Sequence, residues 1–271
     1  MVEKIAMDIG GTHMRVALVR GKKIVKKKIV DTPKTKTAFL NILCGLIDLY
    51  NSSKVVGIGI GIAGPVRNGK VFDGPNLPLK NFDMKKYIER KYKKRVEIAN
   101  DVDCFALSEL KLGSRKKNFI FIAFGTGIGG GIVRGGKLYV GNGYASEFGR
   151  MKLGSKKKSW EDEWTEVKKK IKREFGARTL ISDLVKKRSR KGDVLLGDVS
   201  LVIGRGIAAL VNKLDVRVVY IGGGVREAGS GFLRMINAVV KKELGSKVWR
   251  NVDVSWGSIK DGGLSGAGLL V

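Results

Sequence analysis

Lys4-Ile-Ala-Met-Asp8-Ile-Gly10-Gly11-Thr12-His13-Met14-Arg15-Val16-Ala17-Leu18 reads as an apolar strand, a tight glycine turn and a second apolar strand. The same design returns in mid-chain as Phe119-Ile-Phe-Ile-Ala-Phe124-Gly125-Thr126-Gly127-Ile128-Gly129-Gly130-Gly131-Ile132-Val133. Glycine tolerates positive φ and adds no side chain, so backbone N–H groups in such turns can approach an anion closely. Either turn alone also fits an ordinary structural hairpin. As a pair, each after an apolar strand and each carrying a threonine, they predict two phosphate loops for one nucleotide. Thr12 and Thr126 add hydroxyl donors, and Asp8 is placed to manage a metal ion. The pattern points to phosphoryl transfer.

Strands and helices alternate outward from these hairpins, which predicts an α/β fold. The first hairpin extends into a three-stranded meander through residues 16–20 and 24–30. Helical apolar spacing covers residues 37–50, a glycine-alternating buried strand covers 55–61, and a helix is expected at 83–93. A strand at 96–100 runs into a helix at 102–112. The second half restarts with strands at 119–124, 129–134 and 137–140. Helices follow at about 160–175, 178–190 and 198–214. A strand at 218–221 leads into Gly222-Gly223-Gly224, then a helix at about 231–244, a strand at 252–255 and a short helix after Gly263. Two similar halves predict two lobes with a ligand cleft between them: residues 1–101 plus 257–271, and residues 102–256. Ligands of such sheets lie beyond the carboxyl ends of the strands, where both glycine turns fall.

The candidate chemistry is acidic. Asp101, in Ala99-Asn100-Asp101-Val102-Asp103, ends a strand as Asp8 does. A phosphoryl acceptor hydroxyl needs a base within hydrogen-bond reach, and Mg2+ needs a separate carboxylate, usually through water. Asp101 also fits a helix N-cap. Glu147 and Arg150, in Tyr144-Ala145-Ser146-Glu147-Phe148-Gly149-Arg150, suit recognition of sugar hydroxyls or a structural ion pair. Gly222–Gly224 fits either a platform beneath adenosine or a simple strand-to-helix turn. His13 is the only histidine and reads as a turn or packing residue, so no histidine triad is available and no zinc cluster is expected.

With 271 residues, 43% hydrophobic and 29% charged, the chain is long enough to bury a sizeable core. Two cysteines, Cys44 and Cys104, make a disulfide framework unexpected. No signal peptide is visible, and the apolar run at 55–66 is too short and glycine-rich to span a bilayer. The expected location is the cytoplasm, with no membrane partner. Lys+Arg outnumber Asp+Glu by 53 to 25, a formal charge of +28. Runs such as Lys26-Lys27-Lys28, Lys93-Lys94-Arg95 and Lys168-Lys169-Lys170 are dispersed. They predict weak, non-specific polyanion binding, or they reflect a general alkaline bias.

Asp8-Ile-Gly-Gly-Thr12, Gly59-Ile-Gly-Ile-Ala-Gly-Pro65, Pro75-Asn76-Leu77-Pro78, Asn100-Asp101, Gly125-Thr-Gly-Ile-Gly-Gly130 and Gly222-Gly-Gly224 occur in an order that resembles the ROK family. That family groups repressors, open reading frames and sugar kinases in the actin-like superfamily, and the resemblance covers nearly the whole chain. It implies two actin-like, ribonuclease-H-like lobes and an ATP- and Mg2+-dependent hexose kinase, with the 6-hydroxyl of glucose as acceptor. Asp101 is then the general base and Asp8 acts on the metal–phosphate. Gly10, Gly11, Thr12, Gly125, Thr126 and Gly127 contact phosphate, and Gly223 and Gly224 lie near the nucleotide base. Asn76, Asn100, Glu147 and Glu161 bind sugar hydroxyls. Most family kinases carry a histidine where Arg150 stands and a cysteine-rich zinc loop after it. Residues 152–159 hold no cysteine, so a zinc-free member is expected, with Arg150 replacing the histidine. Because the hairpin begins at residue 4, a repressor's helix-turn-helix before it is not expected. The alternatives are a polyphosphate-using glucokinase and, in another class, a non-catalytic sugar-sensing or polyanion-binding relative. Similar proteins are often homodimers, and a homodimer is expected.

Overall fold

The computed structural model describes residues 2–74, 77–145, 147–154 and 158–271. The first elements are β1 (Glu3–Ile9), β2 (His13–Arg20), β3 (Lys23–Asp31), α1 (Lys36–Asp48), β4 (Val55–Ile62), β5 (Val66–Arg67), β6 (Lys70–Asp73), β7 (Lys80–Asp83), α2 (Met84–Tyr92), β8 (Arg95–Asn100) and α3 (Asp101–Leu112). They are followed by β9 (Phe119–Phe124), β10 (Ile128–Arg134), β11 (Lys137–Leu138), α4 (Trp160–Phe175), α5 (Ile181–Lys187), α6 (Arg190–Leu214), β12 (Val218–Gly223), α7 (Gly229–Trp249), β13 (Asp253–Trp256) and α8 (Gly262–Gly268). Short 3-10 turns occupy Phe148–Arg150 and Gly224–Ala228. Two compact units result: Met1–Lys116 with Gly131–Ser146 and Ser258–Val271, and Lys117–Gly130 with Glu147–Gly257. The division does not fall at residue 101, because α3 packs against α8 inside the first unit.

In the first unit the sheet order is β3-β2-β1-β4-β8. β1 pairs antiparallel with β2 and parallel with β4, and β4 pairs parallel with β8. The central strands are buried on both faces, as parallel strands covered by helices require. Lysines 23, 26, 27 and 28 line the edge strand β3, which discourages pairing with another chain. A small sheet, β5-β6-β7, was not expected from the sequence. Residues 258–259 are tied to α3 by the buried Glu109, which accepts from Ser258 Oγ at 2.9 Å and from Ile259 N at 2.9 Å. The glycines of α8 let it sit against neighbouring backbone. A Cβ at Gly266 would overlap the Cys104 carbonyl, and one at Gly59 of β4 would overlap the Ala267 carbonyl. Neither backbone can yield as a side chain would. Gly266→Val is therefore expected to destabilise the protein by about 3 kcal/mol or more. A shift in the urea midpoint at unchanged m-value would measure it, and a midpoint within error of wild type would contradict this packing.

In the second unit β12 pairs parallel with β9 and with β13. The full sheet order is β11-β10-β9-β12-β13. β9 is almost wholly buried, and Phe124 at its end packs edge-on against Trp160 and Trp164 of α4. The capping box of Ser159 and Asp162 fixes the start of α4. α6 begins at Arg190 rather than near 198, because Ser189 caps it by accepting from Gly192 N at 3.1 Å. Its length and composition would suit a membrane span, yet Leu195, Leu196, Val199, Ile203, Ile207 and Val211 are buried within the unit. A core helix accounts for its apolar character. α7 continues past residue 244 to Trp249, across a break at Gly245, φ +71°.

Candidate active site

The first unit holds Asp8, the first glycine turn, Asn100 and Asp101. Asp8 and Arg15 are cross-strand partners in β1 and β2, and Arg15 Nη1 donates to Asp8 Oδ2 at 3.0 Å. The Asp8 carboxyl is buried under α8, so close to Gly263 that a Cβ there would come within 2.9 Å of it. Burial raises its pKa, the Arg15 guanidinium opposes that rise, and Asp261 adds to it. In the turn, Gly10 N donates to His13 O at 2.9 Å. Thr32 Oγ1 donates to Gly10 O at 2.7 Å, and Lys34 Nζ to Gly11 O at 2.9 Å. His13 lies beside Asp31, its cross-strand partner, with Nδ1 3.1 Å from Oδ1. His13 is thus the first residue of β2 rather than part of the turn itself.

β8 delivers Asn100 and Asp101 to the start of α3. Asn100, not Asp101, is the N-cap: its Oδ1 accepts from Val102 N at 2.8 Å and from Asp103 N at 3.3 Å. Its Nδ2 donates to Gly64 O at 3.0 Å, fastening the strand end to the turn after β4. Asp101 is the first helical residue and half-buried, with Oδ1 accepting from Val102 N at 2.9 Å. Cys104 lies beneath, fully buried. Burial pushes its thiol pKa well up, and Asp103, Asp8 and Asp101 add to the rise, so the group is an unreactive thiol. Both cysteines are free and buried. Asn76 lies outside the described residues.

The second unit holds Gly125, Thr126, Gly127, Glu147, Arg150, Glu161, Gly223 and Gly224. Phe148 packs so tightly on Gly130 that no Cβ fits there, and this anchors the turn carrying Glu147 and Arg150. Arg150 Nε lies 3.6 Å from Glu147 Oε2. Burial raises the Glu147 pKa; Arg150 lowers it and Glu161 raises it further. The Glu161 carboxylate lies against both Gly127 and Gly149, at 2.5 Å from where either Cβ would stand. Two carboxylates and a guanidinium thus share one neighbourhood, an arrangement of acceptors and donors suited to a polyhydroxylated ligand. At the end of β12, Gly223 has φ +81° and no room for a Cβ beside the Phe124 backbone. Gly224 and Gly125 instead face open space.

Two residues in this unit escaped the sequence reading. Trp164 Nε1 donates to Gly125 O at 3.1 Å, and Lys168 Nζ donates to Gly125 O at 3.1 Å and also to Thr126 O. With Glu161 they form an i, i+3, i+7 stripe, one face of α4 applied to the glycine hairpin. That spacing from Glu161 was available in the sequence. Lys168 was hidden by its membership of a lysine run.

A magnesium ion suits what is present. Mg2+ keeps several waters and takes one or two carboxylates plus substrate phosphates. Asp8, a single buried carboxylate with one oxygen held by Arg15, fits such a water-rich site better than an all-protein cage. Among the described residues, no group of three or more His, Cys, Asp or Glu is placed to hold a metal by itself.

Three likenesses are informative. The glucokinase of Streptomyces coelicolor is 33% identical over 156 residues, 55% of this chain and 49% of that protein. The chain spans about half the length of this and of the other curated glucokinases it matches. The crystal structure of a ROK family glucokinase from Streptomyces griseus, in complex with glucose and AMPPNP, superposes with a TM-score of 0.87 at 24% identity, covering 99% of each chain. A ROK family transcriptional regulator, a homolog of the E. coli MLC protein, gives a TM-score of 0.82 at 19% identity, covering 99% of this chain and 77% of that one. The fold is therefore the two-lobe, actin-like α/β class. The ROK family model matches residues 4–271, and the chain belongs to the ROK family.

Proposed function

We propose that the protein is a hexose kinase that transfers the γ-phosphoryl group of ATP to the 6-hydroxyl of glucose. The observation that carries this reading is the contrast between Asp8 and Asp101. Asp8 is buried and pinned by Arg15, as a residue that manages fixed charge should be. Asp101 is half-buried at a helix start whose cap Asn100 already supplies, so its carboxylate is not needed for capping.

In this mechanism Asp101 accepts the proton of the sugar hydroxyl as the oxygen attacks the γ-phosphorus. Glu147, Arg150 and Glu161 hold sugar hydroxyls, with Asn76 and Asn100 as further contacts. Backbone groups of Gly10, Gly11, Thr12, Gly125, Thr126 and Gly127 bind phosphate, and Gly223 and Gly224 flank the adenosine. Asp8 would hold Mg2+ through water, and that ion, when bound, neutralises charge on the phosphate oxygens. The relatives' names support the acceptor class: one is a glucokinase, and another was solved with glucose and AMPPNP.

A coupled ADP-release assay with a panel of hexoses tests the proposal. Glucose-dependent ADP release with MgATP is expected. No release with any hexose would sink it and favour a sugar-sensing role, which the likeness to a transcriptional regulator supports. Sugar phosphate formed from polyphosphate without ATP would instead reassign the donor. Zinc should be substoichiometric after dialysis of tag-free protein against chelator, because Arg150 stands at the histidine position and residues 152–159 lack cysteine. One retained zinc per chain would contradict that expectation.

A further inference from the structure

Both glycine hairpins have their carbonyl oxygens held from one side by a lysine. In the second hairpin, Lys168 and Trp164 of α4 take Gly125 O, and Lys168 also takes Thr126 O. In the first, Thr32 takes Gly10 O and Lys34 takes Gly11 O. The peptides are trans, so each C=O points opposite to the N–H of the same peptide plane. Pinning Gly125 O and Thr126 O toward α4 turns the N–H groups of Thr126 and Gly127 the other way. Pinning Gly10 O and Gly11 O does the same for the N–H groups of Gly11 and Thr12. An anion cradle requires this arrangement, because carbonyl oxygens facing a phosphate repel it while N–H groups attract it.

Lys168 differs from the lysines around it. Lys170 is exposed and pairs with Asp198 at 3.2 Å. Lys168 is half-buried, its ammonium stacked 5.2 Å from the Trp164 ring centroid. Burial lowers its pKa, Lys172 lowers it further, and Glu161 opposes both. Holding a cation in partly buried surroundings is costly unless it is hydrogen-bonded. Here its partners are the two carbonyls of the turn.

We propose that Lys168 is a positioning residue for nucleotide phosphate, acting through the Gly125–Gly127 peptides, with Lys34 as its counterpart on the first hairpin. This rests on the nucleotide-binding reading above and adds a residue that reading did not contain. Its effect falls chiefly on phosphate, because it sets the direction of N–H donors and reaches the sugar side only through its charge near Glu161.

The test titrates the 271-residue chain with MgATP, MgADP, adenosine and glucose by calorimetry. Wild type, Lys168→Met and Lys168→Arg are compared, with Lys168→Gln in reserve should Lys168→Met not fold. Lys168→Met should weaken MgATP and MgADP by about tenfold or more, the scale of a lost charge-assisted hydrogen-bond set. Adenosine and glucose should stay within about twofold. Lys168→Arg, which keeps a cation and its donors, should recover most of the loss. Lys34→Met should act in the same direction but more weakly, because Lys34 is exposed. Unchanged MgADP affinity in Lys168→Met overturns the inference, as does an equal loss for adenosine, glucose and MgADP. A wild type that binds MgADP with this lysine dependence, yet phosphorylates no hexose, sinks the kinase reading and supports the inference. A wild type that binds no nucleotide overturns both.

Discussion

Asp101→Asn is expected to lower kcat by about 10²–10⁴-fold, the usual cost of losing a general base. Glucose and MgATP affinities should change by less than about threefold. The local structure makes this a clean substitution. Asn100 caps α3 through Val102 N and Asp103 N, so the helix start does not depend on residue 101. Asn at 101 keeps an Oδ1 that can accept from Val102 N as Asp101 does at 2.9 Å. What it loses is the capacity to take a proton. Asn100→Ala is the contrasting case: it should cost stability, about 1 kcal/mol from the cap, with the bond to Gly64 O lost in addition. A purified, folded Asp101→Asn protein with kcat near wild type would remove Asp101 from the mechanism.

Much of this arrangement was legible in the sequence because glycine turns between apolar strands are punctuated. Both hairpins, the strands leading into Asp8 and Asp101, and the helix spanning 160–175 lie where the pattern puts them. Legibility failed where one signal fitted two structures. Asn100 and Asp101 are both good N-cap residues, and only the register of β8 into α3 decides between them. The start of α6 was missed because Gly192, Asp193, Gly197 and Asp198 interrupt its apolar spacing. β5 and β7 are too short and polar to carry a strand pattern.

Lys168 is the instructive omission. A lysine run reads as a solvated face, since adjacent residues on a helix point in different directions. On α4 that rotation turns Lys168 onto the hairpin and Lys170 toward Asp198. The dispersal of basic runs in sequence therefore did not separate all of them from the candidate site. The remaining cationic surface, including the lysines of β3, is exposed and suits weak polyanion binding that falls steeply with salt.

Asp8→Asn is expected to separate activity from stability, with opposite signs. Turnover should drop by roughly 10²–10³-fold, since a carboxylate that serves the metal–phosphate supports several kcal/mol of charge stabilisation. Stability should rise. Burial dominates the shift at Asp8 and raises its folded pKa above the unfolded value of 3.8, despite Arg15. The folded protein therefore holds that proton more tightly than the unfolded chain does. Stability falls as pH rises from the unfolded pKa through the raised folded one, and the full cost is present above it. Asparagine carries no such cost. The variant should melt higher than wild type near neutral pH, and the difference should shrink as pH falls below the unfolded pKa. Arg15 loses its partner in the variant but is 37% exposed and can hydrate. Thermal melts of both proteins across that pH range, without nucleotide, give the measurement. A variant less stable than wild type at neutral pH would mean that Arg15 outweighs burial, making Asp8 a structural ion-pair residue rather than a carboxylate held at a cost for catalysis.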